Sequence, residues 1–358
     1  MPRIKDCLSA PALEELTARL ERDRPLLAEA FGAGGRPDRL VAITPVGDPH
    51  EGQRRVSVVR FASGLRLVYK PRTVVSEAVW RNLVTWLNAR AGAALLAAPA
   101  VLDRGGYGWV AWLQHRPPTG APDRRRFYRR SGTLLALLDV FEVRDATVQN
   151  VVAWHDYPVL VDPETIAHPR IAPYRASPSI ALTGFLPGPD DPPGRAGIHA
   201  GHRRGAPHPV AYAGDVVAGY RIGYDLVRRH RRRLLSGSGP LAGLRGVPVR
   251  VLLRATGAYV PFLGTRVWPP AGLPALPLPR AVARRAVAHE RDTIVAGDIP
   301  VFRARASGRH LVPGGDAFAL SGAGAIARRL IRLSDAEREE MASIIRGALQ
   351  MSQLQSIS

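Results

Sequence analysis

The chain has 358 residues, 46% of them apolar, and a formal net charge of +20, enough to bury a large core in one bilobed unit or two modest domains. No apolar run approaches a membrane span, and residues 1–7 lack the apolar core of a signal peptide. Cys7 is the sole cysteine, which excludes an intramolecular disulfide or a zinc site needing two thiolates; a cytoplasmic location is expected.

Residues 10–31 place Leu13, Leu16, Leu20 and Leu27 near helical spacing and predict an opening amphipathic helix. Three β-branched runs follow at 40–46, 54–61 and 65–70, with Ala62-Ser63-Gly64 as a tight turn into the strand that ends at Lys70. Residues 76–90 predict a helix with Val79, Leu83, Trp86 and Leu87 inward, and 108–113 a further strand. That is a small β-rich lobe with one helix, the layout of a kinase N-lobe. A helix at 124–141 leads into the segment 144–150. The stretch 168–214 is dense in Pro and Gly, and a loop this long is usually functional or disordered. It lies where a kinase activation segment would lie. Helices at 214–235, 279–296 and 335–350 and a strand at 248–254 complete the chain, with 351–358 as a frayed tail. The expected fold class is α+β and bilobed, with an N-lobe over 1–115 and a larger, mainly helical C-lobe over 116–350.

Lysine is nearly absent: Lys5 and Lys70 stand against 48 arginines, and asparagine is confined to Asn82, Asn88 and Asn150. A lysine kept in such a chain points to a task that suits a compact ammonium better than a planar guanidinium, such as reaching a nucleotide phosphate. Lys70 ends a strand, Arg144-Asp145-Ala146-Thr147-Val148-Gln149-Asn150 follows, and Asp162 comes after an apolar run. Strand lysine, R-D-x-x-x-x-N and then aspartate is the order of parts in a protein-kinase site. Phosphoryl transfer needs those residue types: a cation on the phosphates (Lys70), a carboxylate to take the hydroxyl proton (Asp145), and oxygen ligands for Mg²⁺ (Asn150, Asp162). Glu77, near the start of the next helix, could orient Lys70. No glycine-rich loop precedes Lys70; Gly47-Asp48-Pro49-His50-Glu51-Gly52 stands there instead, either a cover for phosphates or an ordinary hairpin.

The basic charge admits nucleic acid, an anionic membrane, or acidic peptide and phosphate ligands. Its densest runs, 123–130 and 228–233, read most simply as solvated helix faces. The chain has no helix-turn-helix, zinc-finger or RNP signature, so nucleic acid is the least favoured partner.

As an ordered set, Gly47 to Gly52, Val68-Tyr69-Lys70-Pro71-Arg72-Thr73, Asp145 to Asn150 and Pro158-Val159-Leu160-Val161-Asp162-Pro163-Glu164-Thr165 resemble the dehydratase domain of LanM-type class II lanthipeptide synthetases. Segments 249–259 and 297–302 extend the resemblance, which runs from about residue 38 to 350. It implies a lipid-kinase-like fold and ATP-dependent phosphorylation of Ser and Thr in a precursor peptide, followed by elimination of phosphate. Carried over by motif, Asp48, His50, Lys70, Asp145, Asn150, Asp162 and Glu164 would form the ATP, Mg²⁺ and phosphorylation site. Arg250 and Thr256 would serve elimination. If 249–256 is extended, Arg250, Arg254 and Thr256 share one face, where two guanidiniums and a hydroxyl could hold a leaving phosphate.

Four departures stand out. Thr147 replaces the histidine usual two residues after the loop aspartate. Pro163 stands where an apolar residue is usual. The region before Asp48 reads as far shorter than in the family, and with one cysteine no zinc cyclase domain is expected here, so a separate cyclase protein is the expected partner. An active peptide dehydratase or kinase is therefore weighed against a degenerate pseudoenzyme that binds peptide, and against a basic nucleic-acid-binding protein.

Overall fold

The computed structural model describes residues 8–171, 179–189, 191–203, 205–269 and 272–355. Cys7, with the rest of residues 1–7, residues 172–178 of the long loop and residues 356–358 of the tail lie outside the described residues.

Helix α1 (Ala10–Phe31) forms as its apolar spacing predicts, with Pro11 in the first turn, where a missing N–H costs nothing. Leu16, Leu20, Leu27 and Phe31 are buried, whereas Leu13 is 42% exposed. That stripe packs on a five-stranded antiparallel sheet made of β1 (Leu40–Pro45), β2 (Ser57–Phe61), β3 (Arg66–Lys70), β4 (Val101–Asp103) and β5 (Gly108–Ala111). The strand order is β1-β2-β3-β5-β4. Alternation sends Val59, Phe61, Leu67, Tyr69 and Trp109 into the core under α1. Asp23 of α1, fully buried, accepts hydrogen bonds from Tyr107 Oη at 2.8 Å, Trp109 Nε1 at 2.9 Å and Arg104 Nε at 3.0 Å, which pins the helix to β5. The predicted strands at 54–61 and 108–113 are shorter than expected, because 47–54 folds into a loop and the chain leaves the sheet after Ala111.

Helix α2 (Val75–Ala91) follows β3 and ends at Gly92, in the left-handed region at φ 64°. Its inward residues Val79, Trp80, Leu83 and Leu87 join a second, larger core rather than the one under α1. That core is built on α3 (Ala121–Val140), which is buried on every side from Ser131 to Val140. Hairpin β6 (Val151–Trp154)–β7 (Tyr157–Leu160) and α4 (Ala213–Leu235) close around it. Each buried leucine here contributes about 1.5–3 kcal/mol. Helices α3 and α4 approach through glycine: a Cβ on Gly132 would lie 1.8 Å from Val216 O, and one on Gly219 1.7 Å from Arg129 O.

The described part of the stretch 168–214 is not an open loop. It contains short 3₁₀ turns at Ser179–Leu182, Gly197–Gly201 and Pro209–Tyr212, and Ile180, Phe185, Leu186 and Ile198 are buried in the large core. Strand β8 (Pro248–Val251) stops three residues before the predicted end and pairs with β9 (Phe302–Arg305). The short α5 (Val260–Leu263) and then α6 (Arg280–Ala296) intervene. A small hairpin of β10 (His310–Leu311) and β11 (Gly315–Asp316) follows, with α7 (Gly322–Arg332) and α8 (Asp335–Gln355). The predicted fraying from residue 351 is a correction: α8 continues to Gln355, with Ser352 buried. The architecture is thus mixed α/β, with one core under the sheet and a larger helical one beside it.

Candidate functional site

A cleft of about 1380 Å³ is lined by residues from both the sheet and the helical part. Asp48, His50, Lys70, Asp145, Asn150, Asp162, Glu164, Arg250 and Thr256, far apart in sequence, all line it. Glu77 stands behind Lys70, buried.

Lys70, the last residue of β3, is buried and its Nζ donates to Glu77 Oε1 at 2.8 Å, Asp162 Oδ1 at 2.9 Å and Val161 O at 3.2 Å. Glu77 sits in the first turn of α2, where an acidic side chain also suits the helix dipole. Burial alone would pull the ammonium pKa down, but Asp162 and Glu77 outweigh it and hold it above the usual lysine value.

Sequence reasoning assigned no role to Arg72, two residues on. Its Nη2 lies 2.9 Å from Glu77 Oε1 and 2.5 Å from Asp162 Oδ1, and its Nε lies 3.1 Å from Glu164 Oε2. Arg250 Nη1 takes the other oxygen of Glu164 at 2.6 Å, and its Nη2 lies 3.5 Å from Thr256 Oγ1. Lys70, Arg72 and Arg250 therefore balance Glu77, Asp162 and Glu164 in one network, buried at Lys70 and Glu77 and half-buried at the other four. Burial would raise the Glu164 carboxyl; Arg72 and Arg250 more than offset that and hold it at about 2.

The segment after α3 places the two remaining residues. Asp145 has φ 56°, and Asn150 Nδ2 donates to its carbonyl at 2.8 Å and to its Oδ2 at 3.0 Å. Asn150 thus closes the loop and aims the carboxylate. Asp145 makes no ion pair among the described residues. Burial pushes its carboxyl up, Arg250 opposes this, Asp162 and Glu164 add to it, and the result is about 6. Thr147 Oγ1 is shielded from solvent and lacks a hydrogen-bond partner among the described residues.

The turn 47–52 is neither a free hairpin nor a bare glycine loop. Asp298 accepts from Gly52 N at 2.7 Å and Gln53 N at 3.1 Å, and Ile299 N donates to Pro49 O at 2.8 Å. His50 Nδ1 donates to Ile299 O at 2.9 Å, and burial, followed by Arg250, lowers the imidazole pKa. Two of the segments singled out in the sequence are thus stapled together, and Asp48 is left exposed at the cleft.

The expected face of Arg250, Arg254 and Thr256 forms only in part, since β8 ends at Val251 and Thr256 lies in a 3₁₀ turn. Arg254 turns away to Glu290, with Nε 2.8 Å from Oε1. His168 was also missed: its Nδ1 donates to Pro169 O at 2.8 Å and its Nε2 accepts from Leu252 N at 2.9 Å. With burial pushing it down to about 3, it stays neutral and braces the chain just past Arg250. Nothing in the sequence distinguishes this histidine from a surface one.

For a hard cation the oxygens are Asn150 Oδ1 and Asp162 Oδ2, which meet no donor among the described residues and so suit Mg²⁺. Glu164, expected as a third ligand, has both oxygens on guanidiniums instead. No group of three His, Cys, Asp or Glu side chains among the described residues is arranged to hold a metal. In the basic run on α3, Arg126 and Arg130 both meet Asp156, and Arg129 meets Asp215; Arg228 of α4 meets Asp335. These are helix faces with intramolecular partners. Among the described residues no helix is long and apolar enough to cross a membrane.

A family model described as a domain of unknown function (DUF4135) matches residues 8–196 and 198–305. The chain belongs to that family. This DUF4135 chain is also 24% identical over 128 residues to the lacticin 481/lactococcin biosynthesis protein LcnDR2 of Lactococcus lactis subsp. lactis. The match covers 34% of this chain and 14% of that relative.

Proposed function

We propose that the chain phosphorylates Ser and Thr of a precursor peptide with ATP and then eliminates the phosphate to leave dehydroamino acids, as a step in lanthipeptide biosynthesis. The observation that carries this reading is the single cleft into which Lys70, Asp145, Asn150 and Asp162 converge, joined through Glu164 to Arg250 and Thr256. The similarity to a protein named for lacticin 481 biosynthesis adds the pathway class. The two cores would be the lobes of a kinase-like fold, and a cytoplasmic location follows from that chemistry.

In this reading the apolar wall of Val46, Val56, Val68 and Val110 takes the nucleobase, and the charged end takes the phosphates. The cleft exceeds the roughly 300–1000 Å³ of a pocket for one small ligand, which suits a nucleotide and a peptide segment together. Lys70 binds phosphate oxygen. Asp145 takes the proton of the substrate hydroxyl as its oxygen bonds to the γ-phosphorus and the bond to the leaving ADP oxygen breaks. Asn150 and Asp162 would hold Mg²⁺, which when bound supplies charge neutralisation on the phosphates. In the elimination a base takes the α-proton, its electron pair forms the Cα=Cβ bond as the Cβ–O bond breaks, and Arg250, with Thr256, holds the phosphate that leaves. A separate cyclase would act on the product.

A second reading, a pseudoenzyme that binds peptide, draws on Arg72, which ties up Asp162 and Glu164. Mass spectrometry of a cognate peptide incubated with MgATP separates the readings. Loss of about 18 Da per modified residue is expected, and Arg250→Ala should stall at a gain of about 80 Da. Stable phosphopeptide from the unaltered chain makes it a kinase only, and no ATP turnover leaves the pseudoenzyme.

A further inference from the structure

We propose that Arg195 is a phosphoryl-binding residue of the cleft, placed beside the Asp145 loop by backbone pairing and without a side-chain partner among the described residues, so that a ligand can take it. This rests on the proposed function above and adds a residue to that site. The segment around Arg195 is clamped to the Asp145 loop: Val148 N donates to Arg195 O at 3.0 Å, Thr147 and Ala196 form an antiparallel bridge, and Gly197 N donates to Gly184 O at 3.1 Å. A Cβ at Gly197 would lie 2.1 Å from Ala146 O, so only glycine permits this approach. The clamp fixes where Arg195 starts, and its side chain is exposed on the cleft wall.

The other cations around it are engaged. Lys70, Arg72 and Arg250 hold the central carboxylates, Arg254 holds Glu290, and Arg303 holds Glu51. Arg195 makes no side-chain hydrogen bond or ion pair among the described residues. A guanidinium so placed presents a fork of donors to a tetrahedral anion next to the proposed base. A phosphoryl group occupies that position twice in the proposed reaction, first as the γ-phosphate of ATP and then on the phosphorylated side chain.

Titration calorimetry of the full chain, of Arg195→Ala and of Arg195→Lys would use ATP, ADP, a short phosphoserine peptide and inorganic phosphate, each with Mg²⁺. Loss of a charge-assisted hydrogen bond predicts about tenfold weaker binding of ATP or of the phosphopeptide by Arg195→Ala, with partial retention in Arg195→Lys. Affinity for ADP, which lacks the γ-phosphate, should not move. Whichever of ATP and phosphopeptide weakens identifies the source of the phosphoryl group. Equal binding of all probes by parent and variant, or an equal loss for ATP and ADP, overturns the assignment. If the parent binds neither nucleotide, the kinase reading falls, while weaker phosphopeptide or phosphate binding by Arg195→Ala still upholds the subsite. A parent that binds no phosphate-bearing probe overturns both.

Discussion

Replacing Asp145 by asparagine is expected to stabilise the chain at neutral pH while removing the group that the proposed reaction needs. The carboxyl is raised from 3.8 to about 6, chiefly by burial, with Arg250 pulling against it and Asp162 and Glu164 pushing it further. A carboxyl whose folded value lies above its unfolded one binds protons more readily in the folded chain, so stability falls as pH rises through the window from about 4 to 6. By pH 7.5 the loss amounts to at most about 3 kcal/mol. Solvent that reaches the cleft lowers it, so about 1–3 kcal/mol is the working range. Asparagine carries no charge, keeps an oxygen for the Asn150 amide, and accepts the φ of 56° at Asp145 better than most residues. Urea unfolding of parent and Asp145→Asn at about pH 7.5 and pH 4 measures the effect, with the gain expected to shrink to within about 0.5 kcal/mol at the lower pH. A variant no more stable than the parent at pH 7.5, or a gain that does not change with pH, would refute the reasoning.

Two further outcomes follow from the network and from the orphaned hydroxyl. Lys70→Met and Glu77→Gln should each cost about 3 kcal/mol, because each leaves a buried charge short of a partner, while the double variant should cost about 1–3 kcal/mol less than the two singles together. Additive losses in urea unfolding would show that the two side chains do not act on each other. Thr147→Val should be neutral or stabilising by up to about 1 kcal/mol, since it removes a buried hydroxyl that lacks a partner. A loss of more than about 1 kcal/mol in the same assay would mean that the hydroxyl has a partner in solution.

The elements that sequence showed best are those with a strong period or an unmistakable stop. Helix α1 matches its predicted bounds, and α2, α4 and α6 fall within a residue or two. Leu13 shares the helical spacing of Leu16, Leu20 and Leu27 yet stays exposed, because spacing alone does not say how wide the buried stripe is. Strands β2 and β8 are shorter than 54–61 and 248–254, since apolar residues (Val56, and Leu252 with Leu253) continue past the points where the ladders end. The site's residue types were legible because Lys70 is rare and the order of parts is distinctive. What remained hidden was pairing across the chain: Arg72 to Asp162, Arg254 to Glu290, His168 to Leu252, and Asp298 to the 47–53 turn. In a chain with 48 arginines no local pattern marks the one that meets a given carboxylate. Only the fold decides it.

Thr147 bears on whether such a site can turn over. The resembled family has an imidazole there, which could accept and return a proton near pH 7. The Thr147 hydroxyl cannot do so, and it is shielded from solvent with no hydrogen-bond partner among the described residues. Asp145, however, already titrates at about 6, so a general base suited to neutral pH is present without the imidazole. That property has a cost: a half-buried carboxyl with no ion pair among the described residues lowers the stability of the folded chain, and asparagine would remove the cost at the same φ. A chain that only bound peptide would gain from the change, whereas one that transfers phosphate would lose its base. The stabilising effect of Asp145→Asn, set beside its effect on ATP turnover, therefore separates an enzyme that keeps a strained group for use from a pseudoenzyme that merely carries it.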